Sequence, residues 1–138
     1  MVKDKYSLNE IFENWAGEKC EKTVTIPQSG SYREYYRLTG ASKTAIGVYN
    51  ADLKENKAFL SFTKHFFNLH LPVPEVLAES EDGKLYLLSD LGDESLFDYL
   101  HKKRSQVGVF PGSAIEAYKA ALDQLPKFQI TASKDLDY

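Results

Sequence analysis

Apolar residues recur at helical spacing in three stretches of the chain, and these stretches predict its main helices. The first helix is expected over residues 8–17, a long helix over residues 53–68, and a last helix that Pro126 ends. Their apolar stripes are Leu8, Ile11, Phe12 and Trp15; Phe59, Phe62, Phe66 and Leu69; and Ile115, Tyr118, Leu122 and Leu125. Each helix starts at two polar residues with the spacing of a capping box, namely Ser7 with Glu10, Asp52 with Glu55, and Ser113 with Glu116.

Short segments rich in β-branched and aromatic residues predict strands on both sides of the long helix. Three of them lie before it, over residues 22–27, 32–38 and 43–49, and two lie after it, over residues 76–78 and 84–88. Turns such as "SEDG" join consecutive strands, which favours antiparallel pairing. A helix capped by Ser95 follows over residues 96–103, and the tail from residue 130 shows no clear pattern. We therefore predict an α+β fold with a five-stranded antiparallel sheet and one crossing helix.

Composition and charge narrow the class of protein. The chain has 138 residues and a hydrophobic content of 43%, which suits one modest globular core. Its net charge of −3 gives no general attraction to nucleic acid or to anionic membranes, and no apolar run approaches the ~18 residues that span a bilayer. The single cysteine, Cys20, cannot form an internal disulfide, and the N-terminus lacks the apolar stretch of a signal peptide. We expect a cytoplasmic protein with neither nucleic-acid nor membrane partners.

Two turns that contain glycine are candidates for ligand binding. Gly30 lies between two serines where the first two strands join, and Asp90 and Gly92 interrupt the chain after the fifth strand. A glycine turn between strands is either a plain hairpin or a nest of backbone N–H groups that holds an anion. Asp-Leu-Gly is likewise either a ligand site or a common turn. His65 and His70 have no second ligand at metal spacing, so a metal site is not expected there.

Three segments, taken in order, resemble the aminoglycoside phosphotransferase family and in particular its sugar-kinase branch. The first is "SGSYREYYRL", which is similar to the family's G-x-S-[FY]-R-x-[YF]-x-R pattern. The others are "LPVPEVLAES" and "LYLLSDLGDESLFDYL", so the resemblance covers about residues 24–104. It implies a protein-kinase-like fold in which residues 1–88 form the N-terminal lobe, 89–94 the linker between lobes and 95–138 the start of a C-terminal lobe. It also implies transfer of the γ-phosphate of ATP, with Mg²⁺, to a hydroxyl group of a small molecule.

The resemblance further implies where a nucleotide would bind. The first turn would cover the phosphates with its backbone N–H groups, and the linker backbone would bond the purine edge. The cofactor-binding residues expected on this basis are Gln28, Ser29, Gly30, Ser31, Tyr32 and Arg33 in the turn, and Ser89, Asp90, Leu91 and Gly92 in the linker. Ligands for Mg²⁺ are expected in a larger lobe beyond these residues. The partners would be a nucleotide and a sugar-like acceptor, and the sequence leaves open which acceptor and whether ATP or GTP.

Two departures from the family pattern affect the chemistry. Gly47 stands where kinases carry a lysine on strand three, although Glu55 is placed like the glutamate that pairs with that lysine. Alternatively, Glu55 serves only as the capping partner of Asp52. The candidates to replace the lysine are Arg33, Arg37 and Lys43, or a residue beyond this chain. The sequence also contains no H-x-D-x-x-x-x-N stretch that could serve as the catalytic loop.

These features support two functions of different classes. The first is the N-terminal, nucleotide-binding part of an ATP-dependent phosphotransferase that acts on a sugar and is not catalytic alone. The alternative is a non-catalytic, pseudokinase-like or protein-interaction module, and the gene downstream of Tyr138 discriminates between the two. Without a larger lobe, we expect an exposed apolar surface that promotes self-association, formed by Leu91, Leu96, Phe97, Phe110 and the stripe of the last helix.

Overall fold

A computed structural model describes residues 2–28, 30–107 and 111–136 of the chain. The elements are, in order, α1 (Val2–Ala16), β1 (Lys22–Ile26), β2 (Glu34–Thr39), β3 (Thr44–Tyr49), α2 (Leu53–Asn68), β4 (Val76–Glu79), β5 (Leu85–Leu88), α3 (Leu96–Val107) and α4 (Gly112–Pro126). A π-helical turn (Lys127–Thr131) and a 3₁₀ turn (Ala132–Asp135) follow α4. The chain divides into two compact units between Asp90 and Leu91, so the sheet, α1 and α2 belong to the first unit.

The first unit contains one antiparallel sheet with the strand order β1-β2-β3-β5-β4. Strand β2 pairs with both β1 and β3, so the first three strands form a meander. Helix α2 and the edge strand β4 follow, and β5 then pairs with β3 on one side and with β4 on the other. This arrangement confirms the predicted α+β fold with a five-stranded antiparallel sheet and a crossing helix. It is consistent with a kinase-like small lobe.

Helices α1 and α2 cover opposite faces of the sheet. On one face, Leu8 and Phe12 of α1 are fully buried in a cluster with Tyr36, Leu38, Ala45, Leu85 and Leu87. On the other face, Leu60 of α2 packs in a second cluster with Val48, Tyr86 and Leu88. Because side chains alternate along a strand, successive residues of β5 enter the two clusters in turn. All four residues of β5 are therefore buried, and the strand is apolar throughout.

Two of the predicted helix starts are wrong. Helix α1 begins at Val2, so Ser7 lies inside the helix and is not its N-cap. Helix α4 has Pro111 as its N-cap, without a side-chain hydrogen bond, so Ser113 is not a cap either. Proline presets the backbone angle that the start of a helix needs, and its carbonyl accepts the N–H of Ala114 at 3.0 Å. The spacing of a capping box therefore also occurs inside helices, on exposed faces.

The last α-helix ends at Pro126, as predicted, but the chain stays helical beyond it. Pro126 has helical backbone angles, φ −62° and ψ −28°, and the chain continues through the π-helical and 3₁₀ turns to Asp135. Proline lacks the N–H that an α-helix requires, but a wider turn changes which carbonyl each N–H meets. The tail that was expected to lack structure is consequently helical as far as Asp135.

Glu18 joins the end of α1 to the turn between β2 and β3. Its carboxylate accepts hydrogen bonds from the Ser42 N–H at 2.9 Å, the Ser42 hydroxyl at 2.8 Å and the Lys43 N–H at 2.8 Å. Lys43 in turn donates to the carbonyl of Ala16 at 2.9 Å. The hydrogen bond from the Ser42 backbone is the largest cause that lowers the pKa of Glu18 below its ordinary 4.5.

Replacing Glu18 by glutamine should therefore make the free energy of unfolding depend less on pH in the acid range. A carboxyl whose folded-state pKa is lowered stabilises the fold above its unfolded-state pKa, and this contribution is lost as the pH falls below 4.5. Urea unfolding at a series of pH values measures the effect. Glu21→Gln, a variant at an exposed position nearby, is the control. If the free energy of unfolding of Glu18→Gln falls at acid pH as steeply as that of the natural chain, the turn does not depend on the charged carboxylate.

Gly47 lies in the middle of β3 and faces α1 rather than α2. A Cβ atom at this position would lie 3.0 Å from Cδ2 of Leu8 and 3.1 Å from Cδ1 of Leu38. The neighbours on the strand that face α2, Ile46 and Val48, are apolar. Strand β3 therefore offers no cation to the α2 face, and close packing of α1 requires the glycine.

Side chains larger than hydrogen at position 47 should destabilise the protein in proportion to their size. Gly47→Val is expected to lower the free energy of unfolding by about 1–3 kcal/mol, because it overpacks the contact with Leu8 and Leu38. Gly47→Ala should have a smaller effect in the same direction. Gly112→Ala is the control, since a Cβ there meets nothing within 4 Å. Chemical denaturation measures all three variants, and equal stability of Gly47→Val and the natural chain would contradict the packing argument.

Candidate functional site

Arg33 precedes β2 and lies on the face of the sheet that α2 covers. Its Nη2 is 3.2 Å from Oε1 of Glu55, and its Cζ is 4.6 Å from the centroid of the Phe59 ring. The Arg33 side chain is only 11% exposed, whereas that of Glu55 is 51% exposed. A guanidinium group that pairs with a carboxylate and stacks on an aromatic ring is restricted in direction. Of the three cations considered for Glu55, Arg33 is the one that contacts it.

The other two cations are bound elsewhere. The guanidinium of Arg37 donates two hydrogen bonds to the carboxylate of Asp90, from Nε to Oδ2 at 2.7 Å and from Nη2 to Oδ1 at 3.1 Å. Lys43 donates to the carbonyl of Ala16 and lies 5.1 Å from the centroid of the Trp15 ring, at the end of α1. A bidentate pair of this kind is a strong, directional contact. Asp90 therefore fixes the end of β5 to β2, which is a structural contact.

Two buried polar atoms beside Glu55 lack a hydrogen bond of good geometry to any residue that the structure describes. They are Nε of Arg33 and the hydroxyl of Tyr86. Burial is the main cause that raises the pKa of Tyr86 to about 12, and the nearby charge of Arg33 acts in the opposite direction. Tyr86 is thus neutral at physiological pH. Because Nε of Arg33 is itself buried, a ligand would have to reach the exposed part of the guanidinium.

Glu55 combines parts of both roles expected for it. Its backbone N–H donates to Oδ1 of Asp52 at 3.0 Å, which caps α2 as predicted. Its carboxylate does not complete the capping box, because Oε2 accepts from Nδ2 of Asn50 at 2.9 Å and Oε1 faces Arg33. The N–H of Asp52 donates instead to Oδ1 of Asn50 at 3.2 Å. The carboxylate of Glu55 is therefore held by two side chains, that of Asn50 just after β3 and that of Arg33 just before β2.

The turn before Arg33 is open to solvent over its described residues. Gln28, Gly30, Ser31 and Tyr32 are exposed, and Ser29 lies outside the described residues. Gly30 has φ +71°, a left-handed backbone angle that favours glycine, although a Cβ would meet nothing within 4 Å. The hydroxyl of Ser31 accepts from the Arg33 N–H at 3.3 Å. The turn leads directly into the fixed arginine, and its contact with phosphate stays a prediction.

The predicted linker residues fall on both sides of the boundary between the units. The N–H of Ser89 donates to the carbonyl of Glu75 at 2.9 Å, so a purine contact at Ser89 would have to use its carbonyl. Asp90 is bound to Arg37. In the second unit, Leu91 is exposed and Gly92 has φ +89°. The predicted domain boundaries and purine contacts stay predictions.

The second unit exposes many of the apolar side chains expected at its surface. They are Leu91, Leu96 and Phe97, with Ile115, Tyr118, Leu122 and Leu125 of α4. Phe110 lies outside the described residues. Self-association through this surface stays a prediction.

The described residues contain neither a cluster of metal-binding side chains nor a helix that could span a membrane. Among residues 2–28, 30–107 and 111–136, no group of three or more His, Cys, Asp or Glu side chains could hold a metal ion. Over the same part of the chain, every helix is too short or too polar to cross a bilayer.

Comparison with known proteins gives one informative match. The sequence matches no protein-family profile. It is 28% identical over 125 residues to the N-acetylmuramate/N-acetylglucosamine kinase of Pseudomonas aeruginosa. This similarity indicates a kinase relationship. The alignment covers 88% of this chain but only 34% of the kinase, so the chain spans about one third of the length of this relative.

Removing Arg37 should destabilise the first unit, because Asp90 would keep a largely buried carboxylate without its partner. The side chain of Asp90 is only 11% exposed. Arg37→Gln is expected to lower the free energy of unfolding by about 2 kcal/mol, as for the loss of a partly buried charge pair. Arg37→Lys should recover part of the loss, since a lysine keeps the charge but not the fork. Urea unfolding measures these free energies. An Arg37→Gln variant as stable as the natural chain would mean that water solvates Asp90 in place of the arginine.

Proposed function

We propose that this chain is the N-terminal, nucleotide-binding part of an ATP-dependent phosphotransferase that acts on a sugar, with Arg33 as the cation that contacts the phosphates. The observation that carries the proposal is the contact of Arg33 with Glu55 on α2. Kinases use a strand-three lysine and a helix glutamate for the same task. The proposal is that Arg33, just before the neighbouring strand β2, takes the place of that lysine.

The geometry of Arg33 suits a phosphate ligand for two reasons. Glu55 and Phe59 hold the guanidinium before any ligand arrives, so little side-chain entropy is lost on binding. Glu55 contacts one nitrogen of the guanidinium, Nη2, which leaves other N–H donors of the group for a phosphate. Phosphate oxygens are acceptors that match an arginine fork. Arg37 does not offer this, because Asp90 already occupies two of its nitrogens.

The residues present fit ATP better than they fit Mg²⁺. Arg33 and the backbone of the Gly30 turn are donors for phosphate oxygens, and Mg²⁺ requires oxygen ligands that these residues do not supply. Mg²⁺ would arrive bound to ATP and would be held by the phosphates and by groups outside the described residues. When bound, it would neutralise charge on the phosphates.

Titration of the chain with nucleotides tests this role of Arg33. We expect Arg33→Gln to weaken the binding of ATP by about tenfold or more, the loss of one charged hydrogen bond, and to leave the binding of AMP nearly unchanged. Chemical shifts in NMR spectra detect even weak binding.

Lys54→Gln is the matched control, since it removes one positive charge from an exposed position on α2. Arg33→Lys should lie between the natural chain and Arg33→Gln. No binding of ATP to the natural chain, or an equal loss in Lys54→Gln, would refute the proposal.

The alternative, a non-catalytic pseudokinase-like or protein-interaction module, has its own support. Gly47 is packed against α1, and the sequence contains no catalytic-loop pattern. The reading frame beyond the codon for Tyr138 discriminates between the functions. An aspartate-bearing loop followed by an asparagine and a second aspartate would favour the enzyme. The product of the whole reading frame should then phosphorylate N-acetylglucosamine or N-acetylmuramate with MgATP, whereas a stop codon after Tyr138 favours the module.

A further inference from the structure

We infer that Asn50 is a positioning residue, which fixes the carboxylate of Glu55 and thereby sets the direction of Arg33. This inference rests on the proposed function, in which Arg33 contacts phosphate. Asn50 lies between β3 and α2, is 6% exposed, and touches Glu55 through Nδ2 at 2.9 Å. No motif in the sequence marks it, because a single asparagine between a strand and a helix is common.

The orientation of the Asn50 amide follows from its partners. Oδ1 of Asn50 faces the N–H of Asp52 at 3.2 Å, and a backbone N–H can only donate. The oxygen must therefore be on that side, and the NH₂ group must be on the side of Glu55. A carboxylate can only accept, so both contacts agree on one orientation. Asn50 thus connects the N-cap of α2 with the carboxylate that holds Arg33.

Asn50 is itself fixed by the backbone around it. Its N–H donates to the carbonyl of Lys84 at 3.0 Å, and its own carbonyl accepts from Nδ2 of Asn56 at 2.8 Å. The same Nδ2 donates to the carbonyl of Gly83 at 2.9 Å, and Asn56 is 1% exposed. These bonds join the connection between β3 and α2 to the turn between β4 and β5. The backbone of Asn50, which carries the amide that reaches Glu55, is therefore hydrogen-bonded both to Lys84 beside β5 and to Asn56 of α2.

The need for such a residue follows from the exposure of Glu55. With half of its side chain in water, Glu55 could adopt other rotamers and leave the buried guanidinium without a partner. An exposed ion pair alone is too weak to prevent this. With Oε2 bound to Asn50, only the rotamer that places Oε1 against Arg33 keeps both contacts. Asn50 therefore holds the pair together before a nucleotide binds.

Asn50→Asp is the sharpest test, because it keeps the acceptor for the Asp52 N–H and replaces the donor to Glu55 by a second carboxylate. Repulsion should turn Glu55 towards water and release Arg33. We expect the affinity for MgATP to fall about tenfold, with little effect on AMP. In the double variant with Arg33→Gln, Asn50→Asp should cause no further loss, because it acts through Arg33. Additive losses would indicate a general structural role and would overturn the inference.

An NMR signal that does not depend on nucleotide separates this inference from the proposed function. The Nε–H resonance of Arg33, identified by its loss in Arg33→Gln, should shift and exchange faster with water in Asn50→Asp. The matched control is Asn14→Asp, the same change at an exposed position on α1, which should leave it unchanged. If the natural chain does not bind ATP, the proposed function fails, yet this resonance still tests the positioning of Arg33. An unchanged resonance in folded Asn50→Asp overturns the inference.

A second variant covers the case in which Asn50→Asp does not fold. Glu55→Ala removes the shared carboxylate from an exposed position and leaves Asn50 in place. The side-chain NH₂ resonances of Asn50 and the Nε–H resonance of Arg33 should then shift together. A shift of Arg33 alone would show that Asn50 does not contact Glu55, and the inference would fall.

Discussion

The contact between Arg33 and Glu55 is the constraint on which the site depends. Arg33 is almost buried, and a buried guanidinium without a partner is too costly to keep. The sheet must therefore present Arg33 where α2 presents Glu55, and the N-terminus of α2 is fixed relative to β2. Phe59, one helical turn further along α2, lies against the same guanidinium. Arg33, together with the hydrogen bonds from Asn56 to the carbonyls of Asn50 and Gly83, thus joins the N-terminal end of the helix to the sheet.

Arg33, just before β2, and Arg37, within β2, lie on the same face of the sheet but make different contacts. They are four residues apart, so both lie on the face that α2 covers, about 13 Å from each other along the chain. Each meets a carboxylate from a different part of the chain. Two nitrogens of Arg37 donate to Asp90, and this bidentate ion pair joins β2 to the end of β5. Glu55 takes one nitrogen of Arg33, which leaves donor capacity. The number of contacts, rather than the residue type, distinguishes the structural arginine from the candidate ligand.

The sequence predicted the fold better than it predicted the site. Apolar period and turn residues are local signals, and they gave α2 with its observed limits and the five strands to within a few residues. Capping-box spacing at Ser7 and Ser113 predicted the wrong helix starts, and the tail after Pro126 is helical although it carries no pattern, because tertiary packing and wider turns override local preferences. Which cation meets Glu55 depends on where α2 crosses the sheet, and no local signal contains that. Asn50 carried no signal at all.

The packing around Gly47 explains why the cation that contacts Glu55 does not come from β3. Residues of β3 that face α2 are Ile46 and Val48, which pack with Leu60, and Gly47 faces α1 with no room for a side chain. A cation on β3 would have to replace apolar packing on one face or enter the core on the other. Both changes are costly, since buried charges need partners. A residue just before β2 avoids both costs, because Arg33 rests against Phe59 of α2 and reaches Glu55 from the edge of the apolar cluster. Lysine would keep the charge at this position, but it lacks the planar group that stacks on the Phe59 ring.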